Sequence, residues 1–165
     1  LKEHKLVGKI GISIYHPEEL DPILKKFSID IVQAPFNILD RRLLTSGWLK
    51  KLHQMEIEVH VRSVFLQGLL LMDDNTRPDN FSRWQPLWDD WKNWLDKEGL
   101  TPVQACLSFV FSQPDIDRII VGIDSIEQFN EILFSINNKI PSFLEQIMTD
   151  DMDLIIPSRW GGLRK

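Results

Sequence analysis

Residues 57–65 read Ile57-Glu58-Val59-His60-Val61-Arg62-Ser63-Val64-Phe65. The run is rich in β-branched residues and alternates in polarity, which predicts a β-strand. Alternation sets Glu58, His60 and Arg62 on one face and Val59, Val61 and Ser63 on the other. The valines suit packing beneath helices. The Glu, His and Arg are too polar for such a face, so they are assigned to a polar interior.

Working upstream, residues 44–55 read as a helix and residues 29–34 (IDIVQA) as a strand, joined by the polar loop FNILDRR. Before them, EELDPILKKF predicts a helix ending near Phe27. Pro17 stands near its start and Glu18 and Glu19 lie in its first turn. Residues 9–15 (KIGISIY) form another short apolar strand. Downstream, residues 71–84 (LMDDNTRPDNFSRW) are rich in turn signals and read as a functional loop or lid. Helices are expected at about 85–98, closed by Gly99, and at 102–112, opened by Thr101-Pro102. A strand follows at 118–122, then a helix from 126 to 137 capped by Ser125. A short amphipathic helix near 141–148 and an irregular tail finish the chain.

Strands alternating with helices build parallel sheets, either doubly wound or closed as a (β/α)8 barrel. Four βα units in 165 residues amount to half of such a barrel, so residues 1–165 are read as a single partial domain. Two open strand edges need cover. The expected partners are therefore a missing half-barrel or a second copy of the chain. The sequence starts at Leu1, and its first residues read as the end of a helix, so a piece of a longer polypeptide is expected.

The chain is 43% hydrophobic and 26% charged, as ordinary globular proteins are. No apolar run reaches the length of a membrane span, and no signal-peptide pattern opens the chain. A net charge of −5 without a basic run argues against nucleic-acid or anionic-membrane partners. A lone cysteine, Cys106, allows no intrachain disulfide and fits a cytoplasmic location.

The strand ends carry a further pattern. Gly11-Ile12-Ser13-Ile14-Tyr15, Asp30-Ile31-Val32-Gln33 through Asn37, Arg62-Ser63-Val64-Phe65-Leu66-Gln67-Gly68, and Gly122-Ile123-Asp124-Ser125 through Gln128 and Glu131 follow one another in order. This series resembles the fifth- to eighth-strand motifs of the aldo/keto reductases. The resemblance implies the C-terminal half of the barrel, a cofactor that is NADP or NAD, and a carbonyl substrate, an aldehyde or ketone.

It also implies roles. Ser13 and Gln33 would contact the nicotinamide carboxamide, and Arg62 would stack on its ring. The same residues read without the family give a hydrogen bond across the rim for Gln33 and a pairing of Arg62 with Glu58 or another carboxylate. Ser63, Phe65, Gln67 and Gly68 resemble the pyrophosphate segment, where Gly68 admits close backbone approach. Gly122, Asp124, Ser125, Gln128 and Glu131 would hold the adenosine end at a helix start. Members specific for NADP carry basic residues where Gly122 and Gln128 stand here, and Asp124 opposes a 2′-phosphate, so NAD stands beside NADP.

The family's catalytic Asp, Tyr, Lys and His come from the first four strands, so no catalytic residue is assigned. The single tyrosine, Tyr15, falls at a structural aromatic position. The alternative to a reductase half is a non-catalytic cofactor-binding or regulatory barrel subunit. No Cys/His cluster suggests a metal. Trp84, Trp88, Trp91 and Trp94 recur at helical spacing and read as packing. Trp84, nearest the lid, is the candidate to reach substrate, and Cys106 reads as core.

Overall fold

A computed structural model describes residues 1–136 and 147–161. Among these, four parallel strands form one sheet in chain order: β1 (Gly11–Ser13), β2 (Ile31–Pro35), β3 (Glu58–Arg62) and β4 (Arg118–Ile119). One register row crosses the whole sheet, Ser13 beside Gln33, His60 and Arg118. The neighbouring rows hold Ile12, Val32 and Val59, then Ala34, Val61 and Ile119. Val32, Ala34, Val59 and Val61 are buried beneath the helices, whereas Glu58, His60 and Arg62 are half-buried on the opposite face. The alternation read from the sequence thus sorts the two faces as expected.

Glu58 pairs with Lys9 and lies 3.3 Å from His60, and the Lys9 ammonium holds its carboxyl below the usual carboxylate range. Arg62 goes elsewhere, so the alternative pairing with Glu58 is not the one it adopts. Its Nη2 donates to the Ile14 carbonyl at 3.2 Å and its guanidinium lies 4.8 Å from the Tyr15 ring centroid.

The helices differ from expectation at their ends. The first begins as a 3-10 turn (Pro17–Glu19) and continues as α1 (Leu20–Leu24). Pro22 is tolerated in α1 because first-turn N–H groups have no intrahelical acceptor. The helix expected at 44–55 is two, α2 (Arg42–Thr45) and α3 (Trp48–Gln54), broken at Gly47 with φ 77°. α4 (Gln85–Glu98) ends at Gly99, and α5 (Pro102–Phe111) opens at Thr101, whose hydroxyl accepts from Gln104 N–H. α6 (Ile126–Ser135) is capped by Ser125, and α7 (Met152–Ile155) lies in the tail. Residues 141–146 of the helix expected near 141–148, and the end of the one expected to reach 137, fall outside the described residues.

The segment expected as a long lid is partly folded. Asp79–Trp84 form 3-10 turns, with Phe81 buried. Arg77 pins the rest, donating to the Met72 carbonyl at 2.9 Å and to Asp74 at 2.8 Å while lying over the Trp88 ring. Trp88, Trp91 and Trp94 are buried in the core, as the packing reading expects, and Trp88 Nε1 donates to the Phe81 carbonyl at 3.0 Å. Cys106 is fully buried, and burial pushes its thiol well above the usual range. Among the described residues no helix is long and apolar enough to cross a membrane.

Candidate functional site

The backbone that follows β3 sets the geometry of the site. Ser63, Leu66 and Gln67 adopt φ of 60°, 46° and 55°, and Gly68 follows at 85°. Each left-handed non-glycine residue costs about 1–2 kcal/mol. The turn is held by Leu66 N–H to the Ser63 carbonyl at 2.9 Å and Gly68 N–H to the Phe65 carbonyl at 2.9 Å. Buried Leu66, Leu69 and Leu70 anchor it to the core. Among the described residues the N–H groups of Val64, Phe65 and Gln67 have no protein acceptor. Unfilled N–H groups clustered in such a turn suit an anion.

This turn forms one wall of a cavity of about 570 Å³. A second wall is made by Gly122, Asp124 and the first turns of α6, with Gln128, Glu131 and Ile132. Leu71, Pro102, Val103, Ile120 and Val121 make the surface between them apolar. Gln128 braces the second wall, its Oε1 accepting from Asp124 N–H at 2.8 Å. Mixed apolar walls with a few polar groups suit a small organic ligand.

Eight of the residues singled out in the sequence meet here: Ser63, Phe65, Gln67, Gly68, Gly122, Asp124, Gln128 and Glu131. Ser125 does not line the cavity; its hydroxyl accepts from Gln128 N–H at 3.2 Å and caps α6. Ser13, Gln33 and Arg62 form a second group at the strand ends. Ser13 Oγ donates to Gln33 Oε1 at 3.3 Å, leaving the Gln33 amide nitrogen available. Arg62 links the groups, its Nη1 donating to Ser63 Oγ at 3.4 Å. Ile14, between Ser13 and Tyr15, is buried in the core.

Trp84 stands apart from both groups. Its Nε1 donates to Asp151 Oδ2 at 2.9 Å, and it packs near Phe81 in the contact between residues 79–84 and the tail.

Two features escaped the sequence reading. Pro102, Val103 and Ile132 line the cavity but read as ordinary helix residues. The polar loop before α2 hides a buried network: Arg42 donates twice to Asp40, both at 2.8 Å, and reaches His16 Nδ1 at 2.9 Å. Asp40 beside it raises the Arg42 pKa further. Asn37 Oδ1 accepts from Leu39 and Asp40 N–H groups, shaping this loop. The signal available was Asp-Arg-Arg set behind the apolar residues Ile38 and Leu39, where unpaired charges would be costly.

These features define a parallel α/β unit of four strands, with a cavity at its strand ends beside a left-handed turn. The sequence matches the aldo/keto reductase family over residues 1–147, and the chain belongs to that family. No curated protein matches the sequence significantly. Among solved structures, it is similar to the holo form of aldo-keto reductase AKR11C1 from Bacillus halodurans, at 20% identity and a TM-score of 0.62, covering 86% of this chain and 49% of that one. The thermostable aldo-keto reductase Tm1743 in complex with epalrestat is similar at 19% identity and a TM-score of 0.60, covering 85% and 47%. The glycerol dehydrogenase AKR11B4 from Gluconobacter oxydans is similar at 16% and 0.55, covering 87% and 55%. The chain thus spans about half the length of the reductases it resembles.

Proposed function

We propose that the chain binds a nicotinamide dinucleotide, NADP or NAD, and supplies the cofactor half of an oxidoreductase acting on an aldehyde or ketone. The observation that carries this reading is the left-handed turn with three unfilled N–H groups on one wall of a partly apolar cavity. The donor set fits a dinucleotide. The turn at 63–68 would hold the diphosphate, and the apolar floor with Gln128 and Glu131 the adenosine. Ser13 and Gln33 would meet the carboxamide, whose donor and acceptor complement theirs. Arg62, with its guanidinium 4.8 Å from the Tyr15 ring centroid, would offer a planar face to the nicotinamide ring.

When bound, nicotinamide supplies the hydride for a carbonyl carbon. The task of these residues is to position it, and the residue that protonates the carbonyl oxygen is assigned to strands outside this sequence. Tyr15 is exposed and stacked against Arg62, and no acid role is assigned to it. The open edges of β1 and β4 would be closed by the first four βα units or by a second copy of the chain.

The test is a fluorescence titration of the folded protein with reduced nicotinamide dinucleotides, with the 165-residue chain measured beside the polypeptide that completes the barrel. Saturable binding, with carbonyl reduction only in the completed barrel, is the expected result. Robust reduction by the 165-residue chain alone would overturn the division of labour. Absence of binding by the completed barrel would overturn the cofactor reading.

A further inference from the structure

The chain carries a net charge of −5, yet the polar face of its sheet is cationic. Register sets Arg118 beside His60, between the rows of Glu58 and Arg62. Lys9, just ahead of β1, joins this face through Glu58. Among the described residues there, Glu58 is the one carboxylate against Lys9, Arg62 and Arg118, and it is already shared by Lys9 and His60. Arg62 is met by the Ile14 carbonyl and the Tyr15 ring rather than by an acid. Arg118 is exposed, and among the described residues its guanidinium has no ion pair or hydrogen bond. The adjacent acid, Asp117, is turned to the backbone, its Oδ2 accepting from Val59 N–H at 2.8 Å.

Arg118 also stands on an edge strand. β4 pairs with β3 alone, so its other side is open, and Ile120 just beyond it is exposed. A small anion could neutralise a guanidinium, but only another backbone can pair a strand edge.

We infer that this face is an interaction surface for a strand-bearing polypeptide segment outside residues 1–165 that presents carboxylates, one of them to Arg118. The inference concerns what covers the sheet and does not depend on the cofactor reading. Charge complementarity selects the occupant. A second copy of the chain is the wrong cover, because turning two such faces toward each other doubles the positive excess. Closing them from water would then strand cations without partners, and an unpaired buried charge is strongly destabilising. An acidic segment supplies the missing charge, and a guanidinium and a carboxylate match in geometry as well as in sign.

The test is charge reversal in the full-length protein, comparing Arg118→Glu with Arg118→Gln in urea melts at low and high salt. The two accounts differ in sign. On an uncovered face, a glutamate at 118 sits among cations and relieves repulsion, so stability holds or rises. Beneath an acidic cover it sets carboxylate against carboxylate. The expected result is a folding equilibrium at least about tenfold less favourable for Arg118→Glu than for Arg118→Gln, since like charges brought together at an interface are strongly disfavoured. Salt should narrow that gap. Equal or greater stability of Arg118→Glu overturns the inference. Sedimentation of the same proteins tests the choice of occupant: a dimer that tightens with salt and in Arg118→Glu would show that a second copy covers the face, and would overturn it. Should Arg118→Glu fail to fold, the unsubstituted protein still decides. A dicarbonyl reagent that modifies arginine, read by mass spectrometry, should label Arg118 several-fold more slowly in the folded protein than in urea. Labelling at the unfolded rate would mean that nothing covers Arg118, and the inference would fail.

Discussion

At the scale of single residues, backbone space sets the sharpest expectations. A Cβ on Gly11 would meet the Ile31 carbonyl oxygen at 2.5 Å and Ile31 Cβ at 2.8 Å, so β1 and β2 must shift to accept it. Gly11→Ala should cost about 1–3 kcal/mol, as overpacked sites do, read from urea melts. Gln67 presents the opposite case. Its φ of 55° suits glycine, and Gln67→Gly should raise stability by up to about 1 kcal/mol while loosening the turn. A lower midpoint in denaturant would contradict the strain assigned there. Asp40 and Arg42 are buried as a pair, with side-chain exposures of 1% and 10%. Removing the carboxylate in Asp40→Ala strands a buried guanidinium, at a cost of about 3–5 kcal/mol. The paired loss in Asp40→Leu with Arg42→Met should be milder. The reach of this network to His16 was not legible along the sequence because His16 and Arg42 meet only in the fold, whereas the turn glycine and the polar strand ends could be read directly from their neighbours.

At the scale of elements, the tail clasps residues 79–84 through charges at the surface. Asp153 takes Arg83 at 3.1 Å and Arg159 at 3.4 Å, and both guanidinium groups depress its pKa. A carboxyl with a lowered folded pKa adds stability above its unfolded pKa and loses it as pH falls through the folded value. The clasp should therefore loosen below about pH 4, seen as faster amide exchange in α7 and residues 79–84. Asp153→Asn should flatten that acid response. The interior anchor is Trp88, fully buried and bonded to Phe81, so Trp88→Ala should cost about 3–5 kcal/mol.

Which elements exist was largely legible, because buried valines alternate with polar residues in β3 and because Thr101-Pro102 and Ser125 mark helix starts. Their ends were less so. β1 and β4 shorten as the ladder runs out at the sheet edges, though Ile14 N–H to Gln33 and Ile120 N–H to Val61 continue it by one bond each. The lid became ordered through Arg77 on Trp88, a contact between residues 11 apart that no local pattern announces.

At the scale of the whole molecule, the described sheet ends in β1 and β4, each paired on one side. Beside these edges Ile10, Ile120 and Ile123 are exposed, as are Ile126, Phe129 and Leu133 along α6. The spacing of three and four places the α6 residues on one stripe, a width of apolar surface that seeks cover. The 165-residue chain alone should accordingly associate as concentration rises, shown by sedimentation, and Phe129→Lys with Leu133→Glu should weaken that association. The site divides along similar lines. Its turn and second wall were readable from motifs at strand ends, while the apolar floor was not, because Val103 and Ile132 have the spacing of any core-facing helix residue.

The central claim is that this chain carries a nicotinamide dinucleotide on the turn at 63–68. Its most direct test is a titration of the folded full-length protein with NADH, following nicotinamide fluorescence, alongside a Gly68→Val variant whose fold is verified by near-ultraviolet circular dichroism. The account predicts saturable binding that weakens at least about tenfold in the variant, because a β-branched residue disfavours the left-handed backbone at that position. Binding of equal strength in the folded variant, or none in the unsubstituted protein, would contradict it.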